Sequence, residues 1–418
     1  MTQTEDMRST GQPTGARSSQ FKNSYEPYMR ADWGLLNHWY PIFFENELED
    51  GDVKGATIAG HDIAVVKPKD SDRLYAVSDR CAHRGVKLSA KPMCLSPDTV
   101  TCWYHGFTYS LDDGKIETII ASPDDPVIGK PGIRTYPLEV TAGIVFVFVG
   151  HEDYGDPPPL ARDLPMRIDD SNRMPGMKER IAHPLDKKVY ARGIHRTGQA
   201  NWRLAVENGF DPGHLLIHAD NPLVLAQDRA LPLGFKPVSP EAVQIIDRDD
   251  CGAGVMNMYG TEHYVPFFDN PRVDYKARGK NVMPLRTSMY VPGCLMVEHW
   301  PIPTTSQYEW YVPIDDKRHE YWEVIVAPCG SEEEREELDF MYENMFEPLG
   351  LRSFNNNDLF AREALQDFYE NHDGWNNEVL CDLDGVIIGW RKLASRYNRG
   401  IAANPLKASA EAEDVSEY

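Results

Sequence analysis

The sequence predicts an α+β protein in which a small all-β domain precedes a larger domain with an antiparallel sheet and long helices. Between Trp39 and Gly150 it has short runs rich in β-branched and aromatic residues, separated by turn signals. After about residue 160, strand-like runs alternate with longer helical patterns. The 418 residues are enough for two domains with sizeable cores.

Five strand-like runs define the first domain, and a short helix is expected before them within Tyr25–Asn37. The runs are Thr57–Val66, Leu74–Val77, Val100–Trp103, Phe107–Leu111 and Gly143–Val149. The prolines at 157–159 fix the backbone and remove hydrogen-bond donors, which indicates a domain boundary. We therefore predict a first domain over 21–155, a second over 156–400, and tails at 1–20 and 401–418.

The second domain is predicted from four strand-like runs and two helical patterns. The strands are Val243–Ile246, Ser288–Val291, Gln307–Val312 and Tyr321–Val326, and the helices are Glu332–Glu347 and Asp358–Tyr369. We expect an antiparallel sheet wrapped around helices, large enough to enclose a small-molecule pocket.

Composition narrows the class of protein. The net charge of −22, from 65 acidic and 43 basic residues, argues against nucleic acid or an anionic membrane as a partner. No apolar stretch approaches the roughly 20 residues of a membrane span, and the polar N-terminus lacks the apolar core of a signal peptide. The seven cysteines have no disulfide-framework spacing, which favours a reducing cytoplasm.

Two short loops place one cysteine and one histidine each near one another. They contain Cys81 with His83, and Cys102 with His105, about 18 residues apart. Two cysteines on one iron and two histidines on the other is the ligand set of a Rieske [2Fe–2S] centre. Zinc sites usually begin with two cysteines that have two or four residues between them, so a structural zinc site is the less favoured alternative.

The residues around these loops strengthen the iron–sulfur interpretation. Gly85 and Gly106 follow the loops, and a residue without a side chain lets backbone N–H groups approach the cluster sulfurs. Cys-x-His-Arg-Gly followed by Cys-x-Tyr-His-Gly-Phe resembles the Rieske family. The resemblance implies one [2Fe–2S] cluster on these two cysteines and two histidines.

A histidine pair in the second domain suggests a separate metal site. His214 and His218 are four residues apart, a spacing that places both side chains on one face of a helix. A carboxylate would complete a 2-His-1-carboxylate triad that leaves one side of Fe(II) open. Asp211 lies three residues before His214, where we expect it to accept a hydrogen bond from that ring. A structural pair or a zinc site are the alternatives.

The order of these motifs resembles the oxygenase component of Rieske non-haem iron ring-hydroxylating oxygenases over nearly the whole chain. Asn201–Pro212 and Phe354–Ala364 are most similar to the carbazole dioxygenases of that family, and more distantly to the 2-oxoquinoline monooxygenases. The resemblance implies a helix-grip catalytic domain with an antiparallel sheet, one Fe(2+), a homotrimer, and separate ferredoxin and reductase components.

The family pattern also implies the third iron ligand and the catalytic residues. Its iron carboxylate follows an aromatic residue by four positions, which corresponds to Asp358 after Phe354. Glu363 and Asp367 are less favoured alternatives, and Asp358 could instead be a helix N-cap. The family pattern gives Asp211 the role of an electron-transfer bridge from His105 of one protomer to His214 of the next, and gives Asn208 a catalytic role.

Nine positions match pocket-lining residues of the carbazole dioxygenases and are mostly apolar, as a flat aromatic substrate requires. They are Gly209, Leu215, Thr287, Leu295, Val297, Trp300, Gln307, Glu309 and Phe354. The backbone carbonyl of Gly209 is available to a ring N–H because no side chain blocks its approach. Thr287 and Trp300 depart in size or polarity from those enzymes.

The sequence is thus interpreted as a terminal oxygenase that inserts oxygen from O2 into a carbazole-like heteroaromatic, with electrons from NAD(P)H. A monooxygenase or an O- or N-demethylase on the same scaffold is the alternative within enzymes. A Rieske electron carrier or ligand-binding protein without oxygenation is the alternative from another class. Iron content separates them, because an oxygenase needs about three irons per chain and a carrier about two.

Overall fold

The computed structural model describes residues 24–226, 243–258 and 285–404, with short stretches of backbone between 227 and 284. The predicted tail at 1–20 and residues 405–418 lie outside the described residues. At the start of the second predicted tail, Ile401 pairs with Leu35 in an antiparallel bridge and the Ala402 N–H donates to the Gly34 carbonyl. Packing therefore continues into that segment.

From residue 24 onward, the described part of the first domain has one short α-helix and ten strands. They are α1 (Glu26–Met29), β1 (His38–Phe44), β2 (Val53–Ile58), β3 (His61–Val66), β4 (Tyr75–Ser78), β5 (Thr99–Thr101), β6 (Phe107–Ser110), β7 (Ile116–Ile119), β8 (Thr135–Tyr136), β9 (Leu138–Thr141) and β10 (Ile144–Val149). Three antiparallel sheets result, ordered β1-β10-β9, β2-β3-β4-β8 and β5-β6-β7. The all-β prediction for this domain is confirmed.

One local prediction in this domain is wrong and another holds for only part of its range, in both cases because of backbone turns. The run Thr57–Val66 is a hairpin, since Ala59 and Gly60 between β2 and β3 have φ angles of 49° and 79°. The helix expected within Tyr25–Asn37 ends at Met29. Gly34, with φ of 114°, adopts a conformation that a continuing helix excludes.

The second domain is built on a seven-stranded antiparallel sheet ordered β11-β23-β22-β21-β20-β15-β14. Its strands, with shorter ones between them, are β11 (Val189–Gly198), β12 (Arg229–Ala230), β13 (Phe235–Pro237), β14 (Val243–Ile246), β15 (Gly254–Tyr259), β16 (Tyr264–Pro266), β17 (Asp269–Asn270), β18 (Tyr275–Lys276), β19 (Asn281–Val282), β20 (Leu285–Tyr290), β21 (Cys294–Glu298), β22 (Ser306–Pro313) and β23 (His319–Pro328). The predicted antiparallel sheet is present.

Helices cover this sheet. They are α2 (Trp202–Phe210), α3 (Pro222–Ala226), α4 (Glu332–Met341), α5 (Asn356–Asn371), α6 (Gly374–Asn377) and α7 (Gly385–Tyr397). Short 3-10 turns lie at Glu45–Glu47 in the first domain and at Leu160–Asp163, Gly213–His218 and Asp382–Asp384 in the second. The helix predicted over Glu332–Glu347 is α4 followed by a π-helix, Tyr342–Phe354, which contains Pro348. None of the helices described here has the length and apolar character needed to cross a membrane.

One hydrophobic core joins the two domains. It contains side chains of β1 and β10 from the first domain and of β20 to β23 from the second. The rings of Phe146 and Trp310 lie 5.9 Å apart between centroids, and those of Phe44 and Trp322 lie 4.7 Å apart. A second core packs α2 and α7 against the other part of the sheet. This packing fixes the position of α2, which leads directly into the turn that carries the histidine pair.

His195 of β11 adds a polar link between the domains. Its Nε2 lies 2.9 Å from Glu47 Oε1, and its Nδ1 lies 2.6 Å from Glu320 Oε1. Burial disfavours the charged ring, yet hydrogen bonds to Glu320 and Glu47 raise the pKa of His195 to about 9. Because this pKa exceeds that of the unfolded chain, the link stabilises the fold fully below about pH 6.5. That contribution is lost as the pH rises through about 9.

We expect the His195→Gln variant to lose up to about 3 kcal/mol of unfolding free energy near pH 6, and much less near pH 10. Denaturant unfolding of both proteins at the two pH values measures the difference. The matched control is His372→Gln, because the side chain of His372 is 64% exposed. An equal loss at both pH values would contradict the charged link.

Candidate metal centres and active site

The structure brings the two Cys/His loops together at one end of the first domain. Cys81 and Cys102 are buried, whereas His83 is exposed and His105 is half-buried. The two imidazole rings lie 4.7 Å apart between centroids, and His83 stacks on Phe107 at 4.6 Å. The thiols therefore face the interior while the imidazoles reach the surface.

Both loops have the same backbone turn. The Gly85 N–H donates to the Cys81 carbonyl at 2.8 Å, and the Gly106 N–H donates to the Cys102 carbonyl at 2.9 Å. The two glycines have φ angles of 69° and 72°, which favour glycine. This conformation explains why each loop ends on a residue without a side chain.

The donor set of these loops fits a [2Fe–2S] cluster. Tyr109 Oη lies 3.0 Å from Cys81 Sγ, within hydrogen-bonding distance of that sulfur. Burial and the neighbouring Cys81 thiol both raise the pKa of Cys102. Two adjacent buried thiols beside two imidazoles match the Rieske ligand set.

In the second domain, His214, His218 and Asp358 converge. His214 Nε2 lies 3.6 Å from Asp358 Oδ1, and His218 Nε2 lies 3.3 Å from Asp358 Oδ2. The ligand atoms of all three lie within 4.8 Å of one another, close enough to bind a single ion. The two histidines belong to the 3-10 turn Gly213–His218, and the aspartate to the first turn of α5.

These side chains fit a metal ion because buried polar atoms otherwise lack partners. Both ring nitrogens of His218 and Oδ1 of Asp358 are buried without a hydrogen bond among the described residues. Burial favours the neutral acid, yet the two histidines and Arg362 outweigh it and lower the pKa of Asp358 to about 2. Two imidazoles and one carboxylate match the facial triad of non-haem iron sites.

The predicted hydrogen bond between the His214 ring and Asp211 is present. The Nδ1 atom of His214 is hydrogen-bonded to the backbone carbonyl of Asp211. The Asp211 carboxylate accepts the Gly213 N–H at 2.6 Å. The prediction is therefore confirmed, with the main-chain oxygen of Asp211 as the acceptor that orients His214.

The other acidic residues considered for the third ligand lie elsewhere. Glu363 accepts the backbone N–H of Gln199, and Asp367 contacts Asn371 and His372 on the exposed face of α5. Asp358 is also not the N-cap of its helix, because that position belongs to Asn355. Of these three acidic residues, Asp358 is the one whose carboxylate lies beside the histidine pair.

A cavity opens beside the three side chains, and all nine predicted pocket residues line it. It encloses about 550 Å³, part of which is open to solvent. The residues predicted from the sequence are Gly209, Leu215, Thr287, Leu295, Val297, Trp300, Gln307, Glu309 and Phe354. Phe354 also stacks on the His218 ring, with centroids 3.7 Å apart. Its apolar lining with a few polar side chains is typical of a small-molecule site.

Sequence reasoning did not identify Leu285, Asn355 and Arg362 among the lining residues. Arg362 is fully buried and follows Asp358 by one helical turn, so helical spacing places it on the same face of α5 as Asp358. Its Nε donates to the Asn208 side-chain oxygen at 2.6 Å. Asn208 is thereby held at the edge of the site, next to the cavity residue Gly209.

A hydrogen-bonded chain of polar side chains runs along one wall of the cavity. Trp300 Nε1 donates to Gln307 Oε1 at 3.0 Å, and Gln307 Nε2 donates to Glu309 Oε1 at 2.6 Å. The Tyr311 and Tyr321 hydroxyls both donate to Glu309 Oε2, at 2.6 and 2.7 Å. Burial raises the pKa of Glu309, and these donors stabilise its charge.

Gly209 must be glycine for a steric reason. A Cβ atom at this position would lie 1.8 Å from the Tyr311 hydroxyl oxygen. Any side chain would therefore displace the tyrosine that holds Glu309.

Two family models match the chain. Residues 38–137 match the Rieske [2Fe-2S] domain, and residues 148–402 match the homotrimeric ring hydroxylase family. The first span contains both Cys/His loops, and the second contains the histidine pair, Asp358 and the whole cavity.

Known proteins with similar sequences and structures support the same family assignment. The chain is 40% identical to the terminal oxygenase component of carbazole 1,9a-dioxygenase from Metapseudomonas resinovorans, over 90% of this chain and 94% of that protein. The solved structure of the 2-oxoquinoline 8-monooxygenase component matches with a TM-score of 0.89 and 42% identity, over 97% of this chain and 98% of that one. The reduced complex between oxygenase and ferredoxin of carbazole 1,9a-dioxygenase matches with a TM-score of 0.81 and 39% identity, over 93% and 95%.

Two family models, a cluster-binding donor set and a separate iron-binding triad lead to one conclusion. The chain belongs to the Rieske non-haem iron ring-hydroxylating oxygenases, as an oxidoreductase whose cofactors are one [2Fe–2S] cluster and one mononuclear iron.

Proposed function

We propose that this chain is the terminal oxygenase of a multicomponent system that inserts oxygen from O2 into a carbazole-like heteroaromatic ring. Electrons would come from NAD(P)H through a reductase and a ferredoxin. The observation that carries this proposal is the convergence of His214, His218 and Asp358 at a cavity lined by all nine predicted pocket residues.

The metal ligands are assigned by residue. Cys81, Cys102, His83 and His105 would hold the [2Fe–2S] cluster, and His214, His218 and Asp358 the iron. When bound, the cluster supplies single electrons, and a triad-bound iron leaves one side open to O2. The exposed position of His83 supports electron entry at the histidine end of the cluster.

The protein side chains would bind and orient the substrate and exclude water. Leu215, Leu295, Val297 and Phe354 provide apolar surface for a flat ring, which burial against these residues would desolvate. The chain from Trp300 through Gln307 to Glu309 keeps the polar wall in one arrangement.

We further propose a homotrimer in which Asp211 of one protomer contacts His105 of its neighbour. Asp211 lines the cavity, and one of its carboxylate oxygens accepts the Gly213 N–H at the start of the turn that carries His214. Its backbone carbonyl is hydrogen-bonded to His214, so a single residue would contact one ligand of each metal centre. We also propose a cytoplasmic location, which the seven free cysteines support.

A monooxygenase is the second candidate. The structural match to the 2-oxoquinoline 8-monooxygenase component has a higher TM-score and identity than the match to the carbazole dioxygenase complex, although the sequence motifs favoured the latter. Dioxygenation places both atoms of O2 in one product molecule. Monooxygenation places one atom in the product and releases the other as water.

Turnover in ¹⁸O2 is expected to separate these reactions and to test the proposal. The iron-loaded protein, with ferredoxin, reductase and NADH, is incubated with carbazole, dibenzofuran and 2-oxoquinoline, and the products are analysed by mass spectrometry. We expect at least one oxygenated product and about three irons per chain. Two labelled atoms per product identify a dioxygenase and one identifies a monooxygenase. About two irons per chain and no labelled product would favour the electron carrier instead.

A further inference from the structure

Thr287 is a polar residue of the cavity that lies outside the hydrogen-bonded chain of Trp300, Gln307 and Glu309. It lies in β20, directly opposite Val297 of β21. Its side chain lines the cavity and is only 5% exposed. Its hydroxyl oxygen has no hydrogen-bond partner among the described residues. A buried hydroxyl without a partner in a ligand cavity points to a group that the ligand supplies.

The neighbouring polar groups cannot take this role in their present arrangement. Gln307 is held at both ends of its amide, by Trp300 and by Glu309. The Glu309 carboxylate receives a hydrogen bond from Gln307 and two more from Tyr311 and Tyr321. The polar groups of this wall are therefore hydrogen-bonded mainly to one another.

Arg362 also has terminal nitrogens without hydrogen-bond partners among the described residues, but its charge is compensated otherwise. Its guanidinium carbon lies 4.2 Å from the Tyr321 ring centroid and 5.0 Å from that of Tyr311. Its Nε is bound to Asn208. Contact with two aromatic faces stabilises a buried cation, so Thr287 is the better candidate for ligand recognition.

Filling the cavity changes the state of the Thr287 hydroxyl. Water in the free cavity can bond to it, but a flat aromatic ligand displaces that water. A hydrocarbon ligand would then leave the hydroxyl buried and unpaired, which is unfavourable. A hydroxyl has one proton to donate, so a ligand oxygen that accepts it removes the penalty.

Resting on the proposed function, we propose that Thr287 selects aromatic substrates that carry a carbonyl oxygen on the ring, such as aromatic lactams and ketones. The hydroxyl of Thr287 donates a hydrogen bond to that oxygen while the apolar side chains hold the ring. Discrimination comes mainly from rejecting hydrocarbon ligands, which offer the hydroxyl no hydrogen-bonding partner, as in other sites built to pair a polar substrate atom.

Fluorenone and fluorene test this inference, because they differ only by a carbonyl in place of a methylene group. Their dissociation constants are measured by calorimetry on the oxidised, iron-loaded protein and on Thr287→Val and Thr287→Ser. Valine keeps the shape of threonine and removes the hydroxyl, whereas serine retains the hydroxyl. We expect the unmodified protein to prefer fluorenone by about five- to 150-fold, the range given by the cost of an unpaired buried hydroxyl.

The Thr287→Val variant is expected to lose most of this preference, and Thr287→Ser to retain it. An unchanged ratio of dissociation constants in Thr287→Val would overturn the inference, as would equal binding of the two compounds by the unmodified protein. Oxygenation is assayed separately. Labelled product without a binding preference would refute only the role of Thr287, whereas a binding preference without any product would refute the proposed oxygenation.

Discussion

The Asp358→Ala variant is expected to lose the mononuclear iron and to retain the cluster. Two histidines would remain from a triad whose ligand atoms lie within 4.8 Å of one another, and alanine offers no donor. Loss of a residue that merely supports a metal ligand costs about 10- to 100-fold in metal affinity or activity, so loss of a ligand should cost about 100-fold or more. Iron analysis should fall from about three to about two per chain. The absorption spectrum of the cluster should not change.

Asp367→Ala is the matched control, because it removes a carboxylate from the same helix at a position where the side chain is 73% exposed. That variant should keep all of its iron and activity. Full iron content in Asp358→Ala would show that another group completes the site and would contradict our assignment.

Removing the charge of Asp211 is expected to stop turnover while both metal centres stay in place. The group that holds His214 is the Asp211 carbonyl, which every substitution retains. Asp211→Asn also keeps a side-chain oxygen for the Gly213 N–H, so the 3-10 turn should persist. We expect product formation to fall by about 100-fold or more in Asp211→Ala and Asp211→Asn. Iron content, cluster spectrum and substrate binding should match those of the unmodified protein.

Single-turnover experiments provide the measurement. The cluster is reduced chemically, substrate and O2 are added, and product per chain is compared with reoxidation of the cluster. The control is Asp220→Asn, since Asp220 is an exposed acid just beyond the histidine turn. Normal turnover without the Asp211 carboxylate would refute the proposed electron path. Loss of iron together with turnover would assign the residue a structural role instead.

The histidine pair of the metal site was predictable because its spacing is local, since His214 and His218 are four residues apart on one short turn. The carboxylate ligand was implied by the family resemblance, in which it follows an aromatic residue by four positions, as Asp358 follows Phe354. Such relations survive when a segment becomes a 3-10 turn rather than an α-helix, since both place these residues on neighbouring turns. The cavity positions were available only through the family resemblance. They come from β20, β21 and β22, whose register no single segment reveals.

Contacts set by the backbone could not be read from residue types. Asp211 holds His214 through its main-chain oxygen, an atom that every amino acid possesses, so side-chain chemistry was an unreliable guide. Arg362 was missed for another reason. Its burial depends on Tyr311 and Tyr321 of two different strands, and a charged residue on a helix is usually exposed.

The hydrophobic core shared by the two domains limits how this enzyme can be divided. Trp310 and Trp322 of the sheet pack against Phe146 and Phe44, so neither domain completes its interior alone. A fragment ending near residue 155 would leave these aromatic rings in water and would be prone to aggregate. The domain that stores electrons and the domain that uses O2 are therefore expected to be inherited together. Exchanging one of them between relatives would require matching aromatic side chains at the interface between the domains.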